Sequence, residues 1–96
     1  MTHSIKKVAV LGAGTMGAGI AQVFAQSEYD VLLYDIQIEA LEKARQQIER
    51  SINAAVDKGK LTADKASQAI KRITVSNDFN LLKVDLVIEA DRKSVV

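Results

Sequence analysis

Val8-Ala9-Val10-Leu11 is an unbroken apolar run that ends in glycine, the pattern of a strand buried on both faces as in a parallel sheet. Val31-Leu32-Leu33-Tyr34, opened by Asp30 and closed by Asp35, repeats it. Between the two runs Met16, Ile20, Val23 and Phe24 recur at helical spacing, which predicts a helix ending near Ser27 with these residues along one side. Over 37–58 the apolar positions Ile38, Leu41, Ile48, Ile52 and Val56, with Ala44 and Ala55 between them, keep the same period. Glu39/Lys43 and Glu42/Gln46 fall at i,i+4 on the polar side, so a helix of roughly six turns is predicted at about 3.6 residues per turn. Gly59 is placed to end it, and Thr62 to cap a second helix carrying Ala66, Ala69 and Ile70. Ile73-Thr74-Val75 reads as a short third strand, Asn77-Asp78 as a turn, and the apolar run over 84–88 as a fourth strand.

Strands alternating with helices, with continuous apolar strands, predict an α/β chain: a Rossmann-type parallel sheet with right-handed crossovers. The helical hairpin between the second and third strands, with its tip at Lys58-Gly59-Lys60, is larger than an ordinary crossover and is expected to project beyond the sheet edge. No proline, repeat or linker divides the chain, so residues 1–90 form one domain followed by a tail over 91–96.

Charge and composition narrow the chemistry. In 96 residues, 13 Lys+Arg stand against 12 Asp+Glu without a basic stripe, and aromatic residues make up 4%, so nucleic acid is not an expected partner. With no cysteine there is no disulfide framework, thiolate nucleophile or Cys-based zinc site, and no metal is expected. No apolar run approaches the ~20 residues that span a bilayer, and the simplest expectation is a cytoplasmic protein.

The chemistry lies in the first loop. Gly12-Ala13-Gly14-Thr15-Met16-Gly17 follows the first strand and opens the first helix. Gly12 permits a tight turn, and Gly14 leaves backbone N–H groups at the helix start accessible to a diphosphate, where the helix dipole favours an anion. Gly17 lets helix and sheet approach; Gly17 and Gly19 together cost helix propensity, about 1 kcal/mol each against Ala, which close backbone approach would explain. Asp35, 21 positions beyond Gly14 at the end of the second strand, is placed to accept hydrogen bonds from the adenine ribose hydroxyls and to repel a 2′-phosphate, which favours NAD over NADP. The plainer alternative is that Asp35 ends a strand and caps the helix that follows. A catalytic group is not visible: His3, the single histidine, precedes the first strand, and neither Tyr29 nor Tyr34 has the Lys four positions later that a Tyr-x-x-x-Lys base requires.

From about residue 5 to 90 the chain resembles the N-terminal domain of the L-3-hydroxyacyl-CoA dehydrogenase family, and especially its 3-hydroxybutyryl-CoA branch. The resemblance is carried by residues 8–21 around the glycine loop, by Val31-Leu32-Leu33-Tyr34-Asp35, by Lys58-Gly59-Lys60-Leu61-Thr62 and by Asp85-Leu86-Val87-Ile88-Glu89-Ala90. It implies an NAD-dependent oxidoreductase that interconverts 3-hydroxyacyl-CoA and 3-ketoacyl-CoA in fatty-acid metabolism. It also implies coenzyme contacts along Gly12, Ala13, Gly14, Thr15, Met16 and Gly17, at Asp35 and at Ala90, and contacts of Ser51 and Lys58 with coenzyme A. The family's catalytic histidine, glutamate, serine and asparagine have no counterparts here. Lys93 stands where the family places a glutamate, so 91–96 departs from the pattern. The chain is therefore expected to be a fragment or truncated product, inactive alone, with an incomplete sheet whose fourth-strand edge and one face invite self-association or a partner. The alternatives are a non-catalytic nucleotide-binding or interaction module and a crystallin-like structural relative.

Overall fold

The computed structural model describes residues 6–78 and 84–90; His3 and the tail 91–96 with Lys93 lie outside them. The order is β1 (Lys7–Leu11), α1 (Thr15–Gln26), β2 (Asp30–Tyr34), α2 (Ile38–Asp57), α3 (Ala63–Lys71), β3 (Ile73–Ser76) and β4 (Leu86–Glu89). All pairings are parallel, in the order β3-β2-β1-β4. The chain steps from β1 to β2 to β3 on one side and returns to β4 on the other, so the strand order reverses at β1. At such a point the carboxyl ends of the strands leave a crevice that ligands use.

Register decides which side chains share a face. Val8 pairs with Val31 and Leu86, and Val10 with Leu33 and Ile88. These residues, with Ile73 and Val75, meet Ala18, Ala21 and Ala25 of α1, Leu41, Ala44, Ile48 and Ile52 of α2, and Ala66 and Ala69 of α3 in one cluster. The three helices thus pack on the same side of the sheet. The other side presents Ala9, Leu32 and Val87, of which Ala9 and Leu32 are buried and Val87 is 51% exposed.

The helix ends follow local chemistry. At the end of α2, Gly59 has φ 74°, its N–H donates to the Val56 carbonyl at 3.0 Å, and the Lys60 N–H donates to Ala55 at 2.9 Å. This is a Schellman motif, with glycine in the left-handed position. Thr62 caps α3 by accepting the Lys65 N–H on Oγ1 at 3.1 Å. The end of α1 makes the same motif without glycine: Glu28 has φ 74°, its N–H donates to Ala25 and that of Tyr29 to Phe24. The Phe24 and Tyr29 rings meet edge to face at 5.3 Å, the apolar contact that accompanies such an end.

The hairpin packs against α1 and the edge strand β3, because Leu41, Ala44, Ile48, Ile52, Ala66 and Ala69 form an apolar seam along both helices, while its tip at Lys58-Gly59-Lys60 is exposed. One expectation changes. The fourth strand begins at Leu86 rather than 84, since Asp85 turns its carboxylate back to accept the Lys6 and Lys7 N–H groups at 3.0 Å each. No helix among the described residues is long and apolar enough to cross a membrane.

Candidate dinucleotide-binding site

The crevice at the carboxyl end of β1 is built from the first loop. Gly12 adopts φ 106°, open to glycine at little cost, and its N–H donates to the Tyr34 carbonyl at 2.8 Å, tying the corner to the end of β2. Gly14 is the N-cap of α1 and offers no side chain to satisfy the helix start. The first helical bond runs from the Ala18 N–H to the Gly14 carbonyl at 2.9 Å, so the N–H groups of Thr15, Met16 and Gly17 precede any intrahelical acceptor. The first turn carries no acidic residue of its own to occupy these donors.

Glycine geometry separates two roles. A Cβ at Gly14 would meet nothing within 4 Å, so the approach to these N–H groups is open. A Cβ at Gly17 would collide with the Gly12 carbonyl, so α1 can pack this close to the corner only with glycine there. Ala90 lies 3.6 Å from the same point, is buried, and donates its N–H to the Leu11 carbonyl at 2.8 Å, fixing the end of β4 as the floor under Gly17. Gly19 departs from expectation: a Cβ there would meet nothing within 4 Å, so no close approach explains it.

Asp35 points into this corner. Its Oδ2 accepts the Ala13 N–H at 2.8 Å and its Oδ1 accepts the Gln37 N–H at 2.9 Å. The carboxylate therefore holds the residue that precedes α2 without capping the helix itself, whose N-cap Gln37 has no side-chain cap bond, and it also faces the glycine loop. Each carboxylate oxygen retains a further lone pair, enough for the two hydroxyls of a ribose. Open N–H groups for a diphosphate, a carboxylate for the attached sugar and a glycine allowing backbone approach make a donor and acceptor set that fits a dinucleotide.

The predicted apolar side of α1 is turned only partly to the core, where Ile20 and Phe24 pack. Gly17, Ala18, Ala21 and Ala25 are buried, while Met16 is 57% and Val23 63% exposed and, with Thr15, Gly19, Ile20 and Phe24, they line a shallow apolar hollow. The close approach set by Gly17 selects the face with the smallest side chains.

Ser51 and Lys58 are both exposed and share one flank of α2. The same flank carries Gln47, whose Nε2 donates to the Thr15 carbonyl at 3.5 Å, so Ser51 sits one turn beyond a contact with the start of α1. Lys58 closes the helix as its C-cap residue, about 16 Å farther along than Gln47 at 1.5 Å per residue. Gln47 was not singled out by sequence, where a polar residue on a helix flank carries no distinguishing signal. At the opposite end of the sheet the backbone N–H groups of Lys6 and then Lys7 hold the Asp85 carboxyl below its ordinary pKa, aided by the charges of both lysines.

Comparison with known proteins agrees with this geometry. The sequence profile of the family described as 3-hydroxyacyl-CoA dehydrogenase, NAD binding domain, matches residues 7–93. A 3-hydroxyadipyl-CoA dehydrogenase of Escherichia coli is 47% identical over 91 residues, 94% of this chain and 19% of that protein. A probable 3-hydroxybutyryl-CoA dehydrogenase of Deinococcus radiodurans is 44% identical over 85 residues, 88% of this chain and 30% of that protein. The crystal structure of a 3-hydroxybutyryl-CoA dehydrogenase from Escherichia coli superposes with a TM-score of 0.86 at 46% identity, covering 91% of this chain and 19% of that one. The chain thus spans less than a third of each of these relatives.

Proposed function

We propose, from the premise that this chain belongs to the family of 3-hydroxyacyl-CoA dehydrogenase NAD-binding domains, that it forms the coenzyme half of an enzyme interconverting 3-hydroxyacyl-CoA and 3-ketoacyl-CoA, with 3-hydroxybutyryl-CoA and acetoacetyl-CoA as the substrate pair. The coenzyme is NAD, which supplies the hydride acceptor and donor when bound. In this reading the N–H groups of Thr15, Met16 and Gly17 receive the diphosphate, Gly12, Ala13 and Gly14 shape the corner, Asp35 takes the adenine ribose, and Ala90 lies under the coenzyme's path. The carrying observation is the Asp35 carboxylate reaching the Ala13 N–H at 2.8 Å, which sets a ribose acceptor beside the open helix start.

Ser51 and Lys58 are proposed contacts for coenzyme A, supported by their shared flank and by the exposure of a lysine able to act as a point charge on a phosphate. The chain alone is proposed to be catalytically silent, because the resemblance assigns its acid–base residues to no position here. Its setting is proposed to be the cytoplasm. Self-association through β4, which among the described residues pairs only with β1 and carries the exposed Val87, completes the proposal, with sedimentation as its check.

Calorimetric titration tests the central claim. NADH should bind at least about tenfold more tightly than NADPH, a difference of about 1.4 kcal/mol, and acetoacetyl-CoA added to the NADH complex should leave the nicotinamide absorbance unchanged. Equal affinity for the two coenzymes would remove the ribose assignment, and a fall in absorbance would remove the proposed silence.

A further inference from the structure

The two hydrogen bonds of Asp35 join parts of the protein that a ribose acceptor would have no need to join. Oδ2 holds the Ala13 N–H, the middle of the glycine corner, and Oδ1 holds the Gln37 N–H at the entry to α2. Gln47 of α2 then returns to the Thr15 carbonyl, so corner, carboxylate and helix form a closed ring. We infer that Asp35 is a positioning residue for the diphosphate: it sets the shape of a corner whose anion-binding N–H groups it does not itself touch. The inference rests on the reading of that corner as a diphosphate seat.

Three observations carry it. The corner is intrinsically loose, with glycine at 12 and 14 flanking a single alanine, and glycine has the most conformational freedom to lose. Its pins are few: Gly12 to Tyr34, Ala13 to Asp35 and Ala18 to Gly14. Ala13 is 3% exposed, so without the carboxylate its N–H would be left buried and unpaired, and the loop would have to turn to rehydrate it.

Electrostatics makes the inference decisive to test, because it predicts the opposite sign. A carboxylate beside an anion site repels the anion, so if Asp35 contributed only its charge there, removing it would tighten diphosphate binding. If it positions the corner, removing it weakens binding.

The experiment uses the full chain and inorganic pyrophosphate, which has no ribose for Asp35 to recognise. Amide resonances of residues 15–17 follow binding by NMR, and hydrogen exchange follows the Ala13 amide. In Asp35→Ala the pyrophosphate dissociation constant should rise at least about fivefold and the Ala13 amide should lose protection, as expected for a lost partner to a buried donor. Asp35→Asn retains one acceptor oxygen and no charge; it should keep Ala13 protected and bind pyrophosphate at least as tightly as the unaltered chain. This variant keeps the test open if the alanine variant does not fold. Unchanged or tighter binding in Asp35→Ala, weaker binding in Asp35→Asn while Ala13 stays protected, or loss of Ala13 protection without loss of pyrophosphate affinity in either variant, overturns the inference. Failure of the unaltered chain to bind pyrophosphate at residues 15–17 removes the diphosphate reading as well, and so is distinguished from failure of the positioning role alone.

Discussion

Gly17 stands against the carbonyl of Gly12: a Cβ at position 17 would collide with that oxygen and lie 2.9 Å from the carbonyl carbon. Neither atom can swing away, since both belong to the backbone at the end of β1 and Gly12 is held by its own N–H bond to Tyr34. This contact sets how closely α1 approaches the sheet and where its open N–H groups face.

Gly17→Ala should therefore lower stability by about 1–3 kcal/mol, the usual cost of overpacking, and weaken NADH binding. Gly19→Ala, in the same helix, should raise stability by about 0.5–1 kcal/mol, since alanine restores helix propensity and its methyl would meet nothing within 4 Å. Thermal melts of the two variants should move in opposite directions.

The two Schellman ends make a second opposed pair. Glu28 occupies the left-handed position with φ 74° although it has a side chain, so Glu28→Gly should stabilise by about 1 kcal/mol. Gly59 has the same φ, and Gly59→Ala should destabilise by about 1 kcal/mol. Urea midpoints would show both signs.

Asp85 gives an acid-dependent effect. Its carboxyl is held below the ordinary value of 3.8 by the Lys6 and Lys7 N–H groups, so the folded chain keeps it ionised more readily than the unfolded one does. That contribution is complete above 3.8 and is lost as pH falls through the lower folded value. Asp85→Asn should be less stable than the unaltered chain near neutral pH, and the gap should narrow below pH 3.8, measured as urea midpoints against pH.

For the acyl-CoA contacts, Lys58→Ala should weaken coenzyme A binding about three- to tenfold in calorimetry, the scale of one exposed charge–phosphate contact, while NADH affinity stays constant. Ser51→Ala should act in the same direction and more weakly. Equal coenzyme A affinity in both variants would remove the proposed contacts.

Much of the fold is legible along the chain because it rests on short-range chemistry. Continuous apolar runs ending at Gly12 and Asp35 mark two parallel strands, the heptad-like repeat from Ile38 marks α2, and Gly59 and Thr62 mark the break in the hairpin, since a turn or cap depends on only a few neighbouring residues. The glycine spacing announced the corner for the same reason. The face of α1 was not legible: the helix is apolar on both sides, so periodicity points to Met16 and Val23 as readily as to Ala18 and Ala21.

What the sequence by itself determined is which elements form, where the first two strands end and the hairpin breaks, and which loop offers open backbone donors. Only the tertiary structure decided how they meet: the pairing of Leu11 with Tyr34 that brings Asp35 to Ala13, the contact of Gly17 with Gly12 that turns the alanine face inward, and the folding of the hairpin onto the sheet. The physical reason is range. Caps, turns and strand propensity act within a few residues, whereas a hydrogen bond between positions 13 and 35 or a collision between a helix and a strand end exists only once register has brought distant segments together.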